Sequence, residues 1–238
     1  MSDDQHGMGD ITGRAGSPLP ATIYGGALGE LDQIDQAVYQ AIAATPSPSL
    51  DFGLSRLSSA ADHSKLWFAV AAVLALKPGR PRGAALRGVA SIGLASTMAN
   101  LVGKGLLKRA RPDRASVNVP AGRMVRMPGS TSFPSGHAAS AFAFATAVGD
   151  ELPLAWLPVH ALAAVTAYSR VHTGVHFPGD VFAGSLMGAG AAVAVRYAGR
   201  ALARRRAAPG PRPADNEGRR WTGSAGIHAG WDPRAAPQ

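Results

Sequence analysis

The residues able to do chemistry fall into three short stretches. One, SRVHTGVHFPGDV at residues 169–181, sets Arg170, His172, His176 and Asp180 between two apolar runs. His172, His176 and Asp180 recur every four residues, a spacing that would gather them as metal ligands on an unbroken helix. Pro178 and Gly179 interrupt that helix. The favoured reading therefore ends one helix near Arg170, loops through His176 and starts the next helix at Asp180. Asp180 then accepts a hydrogen bond from one ring nitrogen of His176 and leaves the other free for nucleophilic attack.

The second stretch, FPSGHAAS at 133–140, breaks the chain at Pro134 and Gly136 just before an alanine-rich run. Helix N-termini offer free N–H groups to an anion, with Ser135 as cap or direct ligand and His137 in the first turn. The third, KGLLKRARP at 104–112, predicts a cationic comb at a helix end. Lys104, Lys108 and Arg111 share a face and Pro112 stops the helix. Each stretch also has a bland reading: a charged membrane flank, a capped helix start, or helix-end histidines.

Together they supply the parts of phosphoryl transfer, which needs a nucleophile, a proton donor and charge stabilisation on the phosphoryl oxygens. Lys104, Arg111 and Arg170 are the cations, the arginines being suited to bidentate contacts. Ser135 and the Gly136 amide are neutral donors. His176 attacks phosphorus, and His137 protonates the leaving oxygen. Three side-chain cations offset the dianion, so this scheme needs no metal and no other cofactor.

The elements that position these residues are apolar. Only 16% of the chain is charged, well below the roughly 25% of soluble domains. Five apolar stretches follow one another: Leu66–Leu76, Gly88–Gly103, Ala138–Gly149, Leu152–Ser169 and Val181–Val195. Each is shorter than the roughly 20 residues that span a bilayer. From Pro134 to Gly199, however, the only charged side chains are Asp150, Glu151, Arg170, Asp180 and Arg196. A soluble bundle needs a polar stripe on each helix. These helices carry Ala, Gly and Ser instead, which let membrane helices approach closely. A charge near the centre of such a span costs roughly 2.5–3.5 kcal/mol, which marks the polar stretches as functional. The fold class expected is all-α, an integral membrane helical bundle of about five to six spans.

Outside the bundle, residues 1–49 form a polar tail with an amphipathic helix over Gly29–Ala44. Residues 50–204 form the membrane domain, with a second amphipathic segment at its start. Residues 205–238 form a basic, Pro/Gly-rich tail expected to lack order. MSDDQHGMGD has neither the basic region nor the apolar core of a signal peptide, and the chain has no cysteine. The net charge of +9 would suit nucleic acid. The basic residues gather at helix ends and in the tail without interleaved aromatics, so no nucleic-acid partner is expected.

The three stretches resemble the signature of the type 2 phosphatidic acid phosphatase (PAP2) superfamily: K-x6-RP, PSGH and SR-x5-H-x3-D. Here these are Lys104–Pro112, Pro134–His137 and Ser169–Asp180, complete and in order. The resemblance covers roughly residues 50–204. It implies an active site at one membrane face and a phosphohistidine on His176 oriented by Asp180. It further implies His137 as acid and then base, metal independence, and an isoprenoid or glycerolipid phosphate as substrate. The chain is most similar to short actinobacterial members, some of which act on polyprenyl-phosphate sugars such as decaprenylphosphoryl-5-phosphoribose. His172 lies outside the signature, and helix-end hydrogen bonding is its expected role. A polyprenyl diphosphate diphosphatase would use the same residues, while a non-catalytic membrane scaffold would have no reason to bear their insertion costs. The basic turn at Lys77–Arg87 and the C-terminal arginines are placed on the cytoplasmic side of the plasma membrane, which puts the site outside.

Overall fold

The computed structural model describes residues 26–105 and 108–207; the expected polar ends, 1–25 and 208–238, lie outside them. Among the described residues there is no strand. Seven α-helices follow in order: α1 (Ala27–Ala44), α2 (Pro48–Ala60), α3 (Lys65–Ala75), α4 (Arg80–Gly105), α5 (Gly136–Glu151), α6 (Pro153–His172) and α7 (Pro178–Ala207). Among the described residues, those up to 199 fall in one compact unit, which holds the site, and residues 200–207 of α7 fall in a second.

Each of the five apolar stretches lies in a helix of its own, α3 to α7. Arg80–Gly103 and Pro178–Ala207 are long and apolar enough to cross a membrane. The bundle turns large apolar side chains outward, among them Leu86, Leu101, Leu154, Leu157, Phe182 and Leu186, with Leu154 98% exposed. Water would penalise such a surface, whereas lipid is its natural solvent.

The interior is made of small residues, and the helices come close because of them. Gly184 and Gly188, one turn apart on α7, face the carbonyls of Ser135 and Ala139 on α5, where a β-carbon would collide with backbone. This is the close-approach pattern of membrane helices. Gly88 on α4 makes room for the Phe144 ring in the same way. Trp67, Ile92, Phe144 and Val148 fill the main core.

Both expected amphipathic segments are helical. α1 buries Asp35, Tyr39 and Ala43, spaced four apart, and exposes Leu31, Ile34 and Val38. Its carboxylate thus faces the protein and its aliphatic stripe faces out, as a helix resting on a membrane surface would require. In α2, Pro48 occupies the first turn, where a missing N–H costs nothing, and Asp51, Leu54 and Ser58 are buried.

Candidate active site

The nucleophile candidate sits on a loop whose shape follows from one glycine. After α6 ends at His172, Gly174 takes φ of 65°, a left-handed conformation that glycine adopts without steric cost. The Gly174 N–H then donates to the Val171 carbonyl and the Val175 N–H to the Arg170 carbonyl, closing a Schellman motif. The His176 N–H donates to the Arg170 carbonyl as well, so His176 is fixed directly against the end of α6. The helix runs two residues beyond the expected end near Arg170.

Asp180 is the third residue of α7. Its carboxylate is fully buried and accepts the Phe177 N–H at 2.9 Å, which caps the helix start. It also accepts the Ser132 hydroxyl and an Arg109 N–H at 2.9 Å. The Asp180 carbonyl receives the Ser135 N–H at 2.9 Å, joining the start of α7 to the start of α5. Asp180 Oδ2 lies 3.6 Å from His176 Nδ1. That is an ion-pair distance, and Nδ1 has no hydrogen-bond partner among the described residues. The expected hydrogen bond is thus approached rather than made.

The other ring nitrogen, His176 Nε2, lies 3.2 Å from an Arg111 terminal nitrogen. Arg111 also donates to the carbonyls of Ser130, Thr131 and Val175. Burial pushes the His176 imidazole down to about 4, with Arg111 pushing the same way and Asp180 opposing. The ring is therefore neutral at neutral pH, as a nitrogen nucleophile must be. Burial also lowers Arg111 from its ordinary value. For Arg109 burial pulls down too, but Asp180 and Asp35 outweigh it and raise the guanidinium.

Ser135 caps α5, its hydroxyl accepting the Ala138 N–H at 3.4 Å. Gly136 is exposed at the first helical position and His137 follows in the same turn. A cavity of about 570 Å³ opens between α4, α5, residues 61–64 and residues 128–134; Lys108, Arg111, Gly136, His137, Ser140 and His176 line it. Ser135, Arg170 and Asp180 are buried behind that lining. Arg170 donates through one terminal nitrogen to the Ser58 carbonyl and hydroxyl. Its Nε and second terminal nitrogen are buried without partners among the described residues.

One expectation is corrected. α4 ends at Gly105 and residues 108–113 are not helical, so Lys104, Lys108 and Arg111 form no comb on one helix face. Gly103 and Gly105 weaken the last turn, and Pro112 keeps Arg111 in an extended conformation. Lys104 stands in that last turn; its side chain lies outside the described residues. The alternative of His172 and His176 sharing a metal also loses its geometry. His172 Nε2 bonds Asp51 on α2 at 2.9 Å, whereas His176 faces Arg111 and Asp180. Among the described residues no group of three His, Asp or Glu side chains is placed to hold a metal ion.

Sequence reasoning missed the partners. Asp62 Oδ1 lies 2.8 Å from His137 Nε2. Arg109 spans Asp180, Asp35 and Asp32 and lies over the Phe177 ring at 4.2 Å. Arg123, wholly buried, bonds Asp51 Oδ1 at 2.8 Å, three carbonyls at the end of α1, and the Ser47 hydroxyl. Arg109 stands inside KGLLKRARP and was visible there as a charge, but nothing local marks Asp62 or Asp51.

The PAP2 superfamily model matches residues 84–204. The chain is 38% identical over 152 residues to the decaprenylphosphoryl-5-phosphoribose phosphatase of Mycobacterium tuberculosis, a match covering 63% of this chain and 82% of that one. It is 34% identical over 157 residues to the protein of the same name from Mycolicibacterium smegmatis, covering 64% and 80%. Among solved structures the fold is similar to Aquifex aeolicus LpxE, with TM-score 0.57 and 22% identity over 69% of this chain and 95% of that one. It is similar also to a transmembrane PAP2 type phosphatidylglycerolphosphate phosphatase from Bacillus subtilis, with TM-score 0.56 and 21% identity over 73% and 88%.

Proposed function

The chain belongs to the PAP2 superfamily and is a phosphoric-ester hydrolase, and on that premise we propose that it is an integral membrane phosphatase acting on a lipid phosphate monoester, a polyprenyl phosphate first, through a phosphohistidine on His176. One observation carries the reading: a buried neutral His176 has Asp180 behind one ring nitrogen and Arg111 in front of the other, in the wall of the cavity that His137 also lines.

Phosphate entering beside Arg111 draws that guanidinium from His176 Nε2 onto the phosphoryl oxygens, which frees the nitrogen lone pair. Nε2 attacks phosphorus and the P–O ester bond breaks. The ester oxygen takes a proton from His137 and leaves as the lipid alcohol. Positive charge arriving on the His176 ring draws its Nδ1–H onto Asp180. In the second half, His137 accepts a proton from water as the water oxygen attacks phosphorus. The P–N bond breaks, and inorganic phosphate and neutral His176 are left. The buried, unpartnered nitrogens of Arg170 suit it to a bound anion, since such donors are rarely left unpaired. Lys104, Ser135 and the Gly136 amide complete the phosphate site in this reading. With the cations supplied by side chains, no step calls for a metal. The site opens on the extracytoplasmic face of a plasma-membrane bundle of five to six spans.

Phosphate release by detergent-purified protein tests this, using lipid monophosphates and diphosphates in excess EDTA. Wild type is expected to act and to rank the esters, the polyprenyl-phosphate sugar phosphate among them. His176→Ala is expected to lose more than about 10³-fold, as removal of a nucleophile does, while His172→Ala stays active. Activity abolished by EDTA, or surviving His176→Ala, would refute the phosphohistidine.

A further inference from the structure

The proton donor has a partner that the signature motifs do not contain. Asp62 lies in the short turn between α2 and α3, ahead of residues 84–204 where the family match begins. Its Oδ1 stands 2.8 Å from His137 Nε2 and 3.7 Å from an Arg170 terminal nitrogen. The His137 ring makes no other hydrogen bond among the described residues. The turn is strained: His63 and Ser64, neither of them glycine, take φ of 55° and 61° in succession. Such residues cost of order 1–3 kcal/mol each and persist where the surroundings over-determine them. Ala61, His63 and Ser64 line the cavity beside His137, so the strain is held at the substrate's edge. A carboxylate beside a phosphate site also repels the substrate. That cost makes sense where the carboxylate balances a positive charge during the reaction.

From this we infer that Asp62 is the positioning residue of the proton donor: it fixes the His137 tautomer with hydrogen on Nε2 and leaves Nδ1 to pass the proton. The inference rests on the phosphatase reading above. Nδ1 gives its proton to the ester oxygen as the P–O bond breaks and takes one from water as the P–N bond breaks; the Nε2 proton stays on the ring throughout. Asp62 orients the ring and offsets the imidazolium charge while Nδ1 is protonated, the part a buried carboxylate plays behind a catalytic histidine.

Substrates that differ in their need for the proton separate this role from a structural one. Full-length wild type, Asp62→Asn and Asp51→Asn are compared on a long-chain alkyl phosphate and on an aryl phosphate with a nitrophenolate leaving group. Asp51→Asn loosens the same N-terminal segment without touching His137. Asp62→Asn is expected to lower kcat/KM on the alkyl ester about 10²-fold, the lower end for proton transfer. The loss of kcat/KM on the aryl ester, which leaves without a proton, should be less than about tenfold, while kcat, which also contains water attack on the phosphohistidine, falls on both esters. Asp51→Asn is expected to affect both esters alike, and elution as wild type checks that each variant is folded. Equal losses of kcat/KM in Asp62→Asn on both esters, or an undiminished kcat/KM on the alkyl ester, would overturn the assignment. A wild type inactive on both esters would instead remove the phosphatase reading, and this assignment with it.

Discussion

The two sides of the site are held by different means. On the α5–α7 side, backbone geometry does the holding. A Schellman motif ends α6, Ser135 caps α5, Asp180 caps α7, and two glycines let α7 lie on α5. On the α1–α2 side, carboxylates reach in from a distance. Asp35 accepts the Gly179 N–H across 144 residues, Asp51 holds Arg123 and His172, and Asp62 holds His137 across 75 residues. Backbone devices set where the reactive atoms are. The carboxylates set which way they face and what charge they feel.

The carboxylate side should break hardest when a buried cation is removed. Arg123→Met takes the Arg123 guanidinium from Asp51 and uncaps three carbonyls of α1. Removing one partner of a buried pair costs about 3–5 kcal/mol. Thermal unfolding in detergent should show a loss of that order. A shift equivalent to less than about 1 kcal/mol, the worth of an exposed pair, would mean that this side is held by packing alone.

The backbone side makes a smaller but cleaner prediction, because two nearby glycines on α7 differ in surroundings. A β-carbon at Gly188 meets the Ala139 carbonyl and, at 2.9 Å, the Ala143 nitrogen, whereas one at Gly190 meets nothing within 4 Å. Gly188→Ala should therefore cost about 1–3 kcal/mol through overpacking. Gly190→Ala should gain up to about 1 kcal/mol from helix propensity. Equal effects in the same thermal assay would show that the α5–α7 contact is looser than its geometry implies.

What the sequence made legible follows the same division. The helices came from apolar runs, the cap from Ser135 and the loop from Pro178 and Gly179, all of them local signals. The three reactive stretches were legible because each motif is short. Their convergence on one cavity rests on α4, α5 and α6 folding together. The comb at Lys104–Arg111 failed because helical spacing was extended through Gly105 to a proline. Asp62, Asp51 and Arg109 were missed for a different reason. Their partners are set by tertiary approach, which periodicity along one helix does not encode. Arg109 shows in the sequence only as one more basic residue of KGLLKRARP, whereas in the fold it holds Asp180.

The smallest effect separates the two sides within a single residue. His176 is pushed down to about 4, first by burial, which the backbone side imposes, and then by Arg111, against the pull of Asp180. The nucleophile is the neutral ring, so its share of kcat/KM is present above that value and is lost as pH falls through it. The substrate adds a limb of its own, because a phosphate monoester gains its second charge near pH 6. On the aryl phosphate, whose leaving group takes no proton from His137, and with the dianion as the reacting form, log kcat/KM should fall with slope one below about pH 6 and slope two only below about 4. A histidine at its ordinary value of about 6.5 would bring slope two directly below pH 6. Asp180→Asn should move the lower limb further down, since the carboxylate favours the charged ring, and should leave the substrate limb unmoved. A lower limb that stays in place or rises in Asp180→Asn would mean that Asp180 does not favour the charged His176 ring and serves only through its bonds to Phe177, Ser132 and Arg109.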